Sequence, residues 1–326
     1  MAFTNHHAPH AHHSHHARHS VTHSSGHTVT PLHLTGNTTP KQNEQLLEFL
    51  GEAVTRAHAQ AIEELDQNSA QAVLDSSRKL KQEVADLLIE IIHRHTTSDR
   101  FKNEQAESDR VYPATYRVRP IEAQVTELKK FFPTLGKVNE RIARRPMLEG
   151  AEAWFAIPRW QALASNYNDA VAMVMECIGS KRRFQNRVKD RMSPQYLRQS
   201  ERSKLAETIL ADQQQGSDIH IVACQYGMLH RGCSARRTRV ALAGNEYGLG
   251  AFEVGCMLLT HPERLSSEDT LMIDCSGDEY SVGGDNSFDR VPLYDYDISG
   301  LQFSIFYEDR ARNLWGTPTG FLYKMS

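Results

Sequence analysis

Apolar residues recur every three or four positions in the N-terminal third of the chain, from Lys41 to about His95. This spacing predicts two helices, or one long helix broken near Asn68 and Ser69. A stripe of this kind is a packing face, either within an antiparallel helical hairpin or against a second subunit. We therefore expect residues 41–95 to be helical and to offer a surface for a homo-oligomer. The stripe consists of Leu46, Leu47, Leu50, Val54, Ala57, Ala61, Leu65, Val73, Leu80, Val84, Leu87, Leu88 and Ile91.

A different pattern begins after a polar stretch in which apolar residues show no regular spacing. Residues 96–111 are predicted to be a linker. From residue 112 onward, helical segments alternate with short apolar runs that end in glycine or acidic turns. This texture predicts an α+β fold in which a helical N-terminal region is followed by a mixed, strand-rich and mostly antiparallel C-terminal region. We expect 112–326 to form one globular domain.

Individual elements can be placed within that domain. One helix is predicted to begin at Pro120 and to stop at Pro133, and a second follows Pro158. The remaining predicted elements are strands at 218–224, 251–259 and 271–275, a helix at 234–243, a hairpin about Ser299 and Gly300, and a terminal strand in the sequence TGFLY.

Histidine dominates the start of the chain, where eleven of the 17 histidines stand among Ser, Thr, Ala and Pro. This composition has almost nothing to bury, so residues 1–40 are predicted to be a disordered, histidine-rich arm. Closely spaced imidazoles bind Zn, Ni or Cu generically. A low-complexity tail is the simpler interpretation, and a biological metal function of the arm is the alternative.

Overall composition excludes several classes of protein. The 326 residues carry a formal net charge of -3, so no basic excess draws the whole chain to nucleic acid or to an anionic membrane. No apolar run approaches the ~18 to 20 residues that span a bilayer, and the N-terminus has no signal-peptide core. We expect a cytoplasmic protein with no membrane partner. Five cysteines without a paired C-x-x-C motif fit reduced thiols.

Two basic segments are candidates for binding an anion. The stretch 181–204 carries nine Lys or Arg residues against two acidic ones, and arginine forks match phosphate oxygens bidentately. The segment HRGCSARR, 230–237, could hold an anion on the backbone amides of a helix start. For 181–204, the alternatives are a solvated helix face and pairing with the protein's own acidic C-terminal third. The candidate anion-binding residues are Arg182, Arg183, Arg187, His230, Arg231, Arg236 and Arg237.

The cysteine and histidine residues are weaker candidates for a functional site than the basic segments are. Cys233 lies between basic residues and a predicted helix start, which would lower the pKa of its thiol and favour a nucleophile, but no acid partner or oxyanion site is identifiable. The pairs His220–Cys224 and His230–Cys233 have spacings that zinc sites use. A lone cysteine in a buried strand is more often a small core residue.

The acidic motif IDCSGDEY is a further candidate site. Asp274 ends an apolar strand, and the turn after it could bring Asp278 and Glu279 back toward it. Such a group would attract Mg or Mn, so these three carboxylates are the candidate ligands of a divalent metal cofactor. The alternative is that the aspartates cap the turn and that Glu279 pairs with an arginine such as Arg264.

Several motifs are spread between Tyr112 and Tyr323, namely YRVRPIEAQV with FFPTL, FAIPRW followed by YNDAV, YLRQSER, HRG-x-S, EYGLGA, LLTHPERL and IDCSGDEY. In these motifs the chain resembles a family of uncharacterised proteins from uncultured bacteria with reduced genomes. The resemblance covers about two thirds of the chain and excludes the histidine-rich arm. It implies one shared unit over residues 112–323, and it carries over no activity, ligand or catalytic residue.

No motif in the chain is diagnostic of a reaction, so the residues do not decide whether the protein is an enzyme. They favour an intracellular binding protein for a phosphate-bearing ligand, which would be a nucleotide, a phosphorylated small molecule or a nucleic acid. One alternative is a metal-dependent hydrolase that uses Asp274, Asp278 and Glu279. Another is a structural or assembly protein organised by residues 41–95.

Overall fold

The computed structural model describes residues 40–62, 66–75, 84 and 101–323, and the chain divides into two compact units, 1–76 and 77–326. In the first unit, helix α1 runs over Pro40–Ile62 and helix α2 over Gln67–Asp75. Asp66 begins α2 by accepting a hydrogen bond from the backbone N–H of Ser69 (2.7 Å), which is an N-cap bond. The described parts of 41–95 are thus helical apart from Asp66, and Asn68 and Ser69, near which a break was predicted, lie inside α2. The predicted arm, apart from Pro40, lies outside the described residues.

The second unit is α+β, as the sequence pattern predicts. None of the described helices is long and apolar enough to cross a bilayer. The helices of this unit are α3 (Ile121–Phe131), α4 (Tyr167–Lys181), α5 (Glu201–Gln213), α6 (Ala235–Ala241) and α7 (Ala251–Thr260). The strands are β1 (Ala153–Pro158), β2 (Phe184–Asn186), β3 (Leu197–Gln199), β4 (Ile219–Gln225), β5 (Glu246–Gly248), β6 (Met272–Asp274), β7 (Asp278–Tyr280), β8 (Arg290–Asp297), β9 (Gly300–Tyr307), β10 (Trp315–Gly316) and β11 (Thr319–Phe321).

These strands form two sheets. The smaller sheet has the order β1-β4-β11-β5 and is antiparallel throughout. The larger sheet has the order β10-β6-β8-β7-β3, and β9 pairs with both β8 and β2. Only the β10–β6 and β2–β9 pairings of these described strands are parallel. The prediction of mixed, mostly antiparallel sheets is therefore confirmed, including the β8–β9 hairpin that turns at Ser299 and Gly300.

Helix α7 lies in the core of this unit, and here the predicted strand at 251–259 is wrong. Nine of its ten residues are buried, and it packs against α3, α4 and β1. A run that is apolar on every side suits a buried helix as well as a buried strand, and its length of ten residues is typical of the helix. A Cβ at Gly255 would lie only 2.5 Å from a methyl of Val174 on α4, so glycine permits the close approach of the two helices.

Residues 101–111, the described part of the predicted linker, form hydrogen bonds with the rest of the second unit. The N–H of Ala106 donates to the carbonyl of Gly232 (2.8 Å), and the N–H of Ser234 donates to the carbonyl of Glu104 (3.1 Å). The polar side chains that suggested a linker are used as hydrogen-bond partners. This segment is called the strap below.

The outer edge of β1 is closed by one buried side chain. Gln124 on α3 is fully buried. Its amide accepts from the N–H of Ala156 (2.9 Å) and donates to the carbonyls of Trp154 (3.1 Å) and Arg119 (2.7 Å). An unpaired strand edge would expose or bury these backbone groups without partners. Gln124 thereby fixes α3 against β1.

We predict that Gln124→Leu lowers the free energy of unfolding by about 2 to 4 kcal/mol, because it leaves backbone groups of β1 buried and unpaired. Urea denaturation followed by circular dichroism measures the change. Glu122→Gln, at an exposed position on the same helix, is the matched control. A Gln124→Leu protein as stable as this control would contradict the assigned role.

Candidate functional site

One small pocket of the second unit is lined by several titratable side chains. It lies between β1, β4, α5 and α7 and has a volume of ≈ 20 Å³, room for a single water-sized group. We call it the α5–α7 pocket. Larger hollows of ≈ 390 and ≈ 510 Å³ near Asn313 are shallow and open. The α5–α7 pocket is lined by Ile157, Pro158, Arg159, Trp160, Ser203, Glu207, Leu210, His220, Val222, Tyr247, Phe252 and Glu253.

His220 is the most unusual group in the α5–α7 pocket. It stands on β4 directly opposite Ile157 of β1 and is 4% exposed. Its Nε2 atom has no hydrogen-bond partner among the described residues, and neither has Nε of Arg159. Burial, followed by the charge of Arg159, lowers the pKa of His220 to about 4. The imidazole is therefore neutral at pH 7, and its Nε2 atom is buried without a partner.

Two carboxyl groups meet at the start of α7. The N–H of Gly250 donates to Glu253 (3.0 Å), and the N–H of Ala251 donates to Asp278 (2.7 Å). The hydroxyl of Tyr167 donates to Asp278, with 2.9 Å to each carboxylate oxygen. Burial raises the pKa of both acids, and repulsion between them raises that of Glu253 further. Glu253 therefore keeps its proton to a higher pH than an exposed glutamate does.

A third acidic side chain, Glu207 of helix α5, lines the pocket. Ser203, Glu207 and Leu210 follow helical spacing and face the same pocket. The indole N–H of Trp160 donates to Glu207 (2.9 Å) and so positions its carboxylate. The charge of Glu207 adds to the upward shift in the pKa of Glu253. The two glutamates are therefore electrostatically linked across one small space.

The arrangement combines a proton donor with a proton acceptor. A carboxyl group that stays protonated near neutral pH can donate, and a neutral imidazole with an unpaired nitrogen can accept. Perturbed titratable groups gathered in a pocket are the usual signature of an acid–base site.

The basic segment 181–204 is largely engaged by the protein itself. Arg182 donates to the carbonyls of Pro262 and Leu265 (both 2.9 Å). Arg187 donates to Gln302 (2.7 Å). Arg183 is exposed. The three predicted anion-binding residues of this segment thus have different surroundings and do not form one preorganised cluster.

The predicted anion site at HRGCSARR is occupied by a carboxylate of the strap. Glu104 accepts from the hydroxyl of Ser234 (2.7 Å) and forms an ion pair with Arg236. Arg237 donates to the carbonyls of Phe101 (3.1 Å) and Lys102. Within the described chain, Glu104 and the backbone carbonyls of 101–102 are therefore the partners of Ser234, Arg236 and Arg237.

The two remaining members of that segment are also paired. Nε2 of His230 lies 2.7 Å from Glu246, and Arg231 donates to the carbonyl of Arg110 (2.8 Å). Helix α6, which follows, has only seven residues and is capped by Ser234. No free helix start is presented to an external anion here.

The acidic motif does not assemble the predicted metal site. Asp278 and Glu279 are neighbours in β7, so their side chains point to opposite faces. Asp278 is buried against Tyr167, whereas Glu279 forms a partly exposed ion pair with Arg198 (2.8 Å). Among the described residues, no group of three or more His, Cys, Asp or Glu side chains is placed to hold a metal ion. That finding also covers the histidine–cysteine pairs considered for zinc.

Asp274 is instead an isolated buried acid. It is 2% exposed, and its Oδ1 atom has no partner among the described residues. Burial raises its pKa to about 8 despite the opposing charges of Arg239 and Arg312.

Cysteine chemistry receives little support from the surroundings. All five thiols are free, and four are buried. Burial raises the pKa of Cys233, and the nearby charge of Arg237 only partly offsets this. The thiolate that a nucleophile requires is therefore disfavoured.

Sequence reasoning missed the acids of the α5–α7 pocket. Glu253 had a signal, since it is the one charged residue in the apolar run 251–260. Glu207 and Arg159 had none, because an acid on a polar helix and an arginine after a proline are ordinary surface patterns. The pocket is assembled by long-range packing, in which α7 contacts β1 and α5 contacts β5.

No protein-family model, no curated protein and no solved structure matches the chain. The resemblance over residues 112–323 stays a prediction.

We predict that Asp274→Asn flattens the fall of stability with rising pH. The native acid keeps its proton up to a pH of about 8, whereas the unfolded chain releases it near its ordinary value of 3.8, so stability is lost between these limits. The loss is at most about 1.4 kcal/mol per pH unit. Urea denaturation at pH 5, 6.5 and 8 measures the slope.

Asp269→Asn, at a side chain that is 88% exposed, is the control for this comparison. Equal slopes in the parent protein and in Asp274→Asn would contradict the buried, protonated state of Asp274.

Proposed function

We propose that the protein binds a small uncharged compound that carries hydroxyl groups, and that it exchanges a proton with that compound in the α5–α7 pocket. Glu253 is the proton donor and His220 the acceptor. The observation that carries the proposal is that a partnerless buried imidazole and a carboxyl group with a raised pKa line the same space. This combination supports general acid–base catalysis.

The charge inside the pocket favours an uncharged ligand. His220 is neutral at pH 7, and Glu253 is held toward its protonated form. Arg159 and Glu207 both line the pocket, so it holds one cation and one carboxylate. A phosphate group would meet no excess of positive charge and would be repelled by Glu207.

The size of the pocket favours a hydroxyl group as the part that enters. A space of ≈ 20 Å³ holds one water-sized group. A hydroxyl both donates and accepts, so it can satisfy a nitrogen of His220 and a carboxyl oxygen together. Trp160, Tyr247 and Phe252 form the aromatic part of the pocket's lining.

The phosphate-bearing ligand expected from the sequence is the weaker candidate. Six of its seven proposed binding residues donate to, or pair with, groups of the protein itself. Nucleic acid binding would have to break several of these contacts. The exposed Arg183 and its neighbours give no comparable convergence of groups.

The binding proposal is tested with glycerol, glucose and N-acetylglucosamine as probes and inorganic phosphate as the charged comparison. Saturation-transfer NMR should show binding of an uncharged probe and not of phosphate. We predict that affinity falls as pH rises above neutrality, because Glu253 loses its proton, and that Glu253→Gln removes this fall. Glu201→Gln, exposed on α5, should behave as the parent protein does.

Absence of binding by all three uncharged probes would contradict the proposal. Binding that does not change between pH 6 and 9 would contradict the role of Glu253.

We propose further that the protein forms a homo-oligomer through α1. Leu47 and Phe49 are 72% and 63% exposed, and Leu46 and Val54 are also exposed. Four large apolar side chains on one exposed helix are more than an isolated surface helix needs, and a second copy of the same stripe would cover them.

We predict that Leu47→Asp lowers the oligomeric state, because it places a charge in the apolar contact. Light scattering on the full chain measures the mass. Glu48→Gln, next to it and exposed, is the control. A monomeric parent protein would contradict association through α1.

A further inference from the structure

The strap, residues 101–111, is attached to the rest of the second unit largely by polar contacts. None of its eleven residues is buried. Only Phe101, Ala106 and Val111 are apolar, and Val111 is 53% exposed. The docked strap therefore withdraws little apolar surface from water, and its attachment depends on hydrogen bonds and charge rather than on the hydrophobic effect.

A short antiparallel pairing aligns the strap with the turn before α6. Two backbone hydrogen bonds, of 2.8 and 3.1 Å, join residues 104–106 to residues 232–234. Between these bonds, Gln105 lies directly opposite Cys233. Residues opposed in this way do not bond to each other through the backbone, and their side chains lie close together on one face. Gln105 therefore lies against Cys233, which is only 8% exposed.

One carboxylate holds the start of the strap. Glu104 accepts from the hydroxyl of Ser234 (2.7 Å) and forms an ion pair with Arg236. The guanidinium of Arg236 also lies over the ring of Phe101, 4.3 Å from its centroid. The side chains of Arg236 and Glu104 are 37% and 12% exposed, so water reaches this ion pair. Removing the charge of Glu104 is thus the change that most directly weakens the attachment.

Gly232 shows how closely the strap approaches the turn. It has a φ of +78°, and a Cβ atom at this position would lie 2.1 Å from the carbonyl oxygen of Ala106. Any side chain here would collide with the backbone of the docked strap, and the backbone conformation also favours glycine. The turn is therefore shaped to receive the strap.

We propose that the strap is a latch, which detaches from residues 232–234 while the rest of the second unit stays folded and so uncovers the thiol of Cys233. A segment with no buried residue and with contacts that water reaches opens at a lower free energy than the core does. The latch is separate from the α5–α7 pocket and independent of the function proposed there.

Detachment changes the reactivity of the thiol as well as its accessibility. Burial raises the pKa of Cys233, and the charge of Arg237 opposes this rise. When the strap leaves, the contribution of burial falls and that of Arg237 remains, so the pKa moves toward the range in which thiolate forms. The closed strap thus protects Cys233 from electrophiles, and the open strap exposes it to them.

The test measures alkylation of each cysteine by iodoacetamide in the native full chain, resolved by peptide mass spectrometry. Each native rate is divided by the rate of the same thiol in urea-unfolded protein. Cys256 and Cys275 are 0% exposed and report unfolding of the core. We expect the corrected rate of Cys233 to exceed theirs by roughly tenfold or more. Equal corrected rates would overturn the proposal, because the strap would then open only when the core unfolds.

Glu104→Gln should raise the rate at Cys233 by roughly tenfold, because a charge-assisted contact is lost. The rate at Cys256 should stay unchanged, which shows that the core is intact. Glu107→Gln, at an exposed position on the same strap, is the matched control. If Glu104→Gln and this control give the same rate at Cys233, Glu104 does not hold the latch.

Gln105→Cys provides a second variant that closes the latch. Mild oxidation should link position 105 to Cys233 within one chain, because opposed residues of this kind have the Cα separation of a disulfide. Hydrogen exchange at the amide of Ala106 should then slow by roughly tenfold or more, and reduction should restore it. Failure to form the link, or an exchange rate that the link leaves unchanged, would overturn the proposal.

Discussion

Burial of helix α7 is the constraint on which the rest of the second unit depends. Nine of its ten residues are buried, so its first turn cannot be capped by water. Asp278, which is buried, and Glu253, which is partly exposed, supply the carboxyl groups that cap it instead. The site follows from this demand, because an acid that must cap a buried helix is desolvated and holds its proton more tightly. Burial of α7 thus explains both the packing around this helix and the raised pKa values of the acids at its start.

In the same unit, basic side chains find their hydrogen-bond acceptors within the protein itself. Glu104 of the strap takes the position at Ser234 and Arg236 that an external anion would take, and the other arginines there bond to backbone carbonyls. Buried polar groups need partners, and a chain supplies them from wherever its own atoms are closest. A cluster of basic residues in a sequence therefore indicates a demand for acceptors, and only the fold decides whether those acceptors are internal.

Local pattern was sufficient to predict much of the fold. The apolar run at 218–224 and the hairpin at Ser299 and Gly300 were predicted correctly, because a short apolar run and turn chemistry are properties of neighbouring residues. The run 251–259 was assigned to a strand because an uninterrupted apolar sequence has no polar face by which a helix can be recognised. The site was beyond such reasoning: Glu207, His220 and Glu253 come from three separate elements, and their pKa values depend on burial that exists only after folding.

The central claim is that a neutral imidazole and a protonated carboxyl group coexist in the α5–α7 pocket near neutral pH. The most direct measurement is a titration by heteronuclear NMR that follows the ring nitrogens of His220 and the side-chain carboxyl carbon of Glu253, assigned by His220→Gln and Glu253→Gln. The account predicts that His220 takes up its proton near pH 4 rather than at its ordinary value of 6.5, and that Glu253 ionises well above its ordinary 4.5. Titration of both groups at their ordinary values would contradict it.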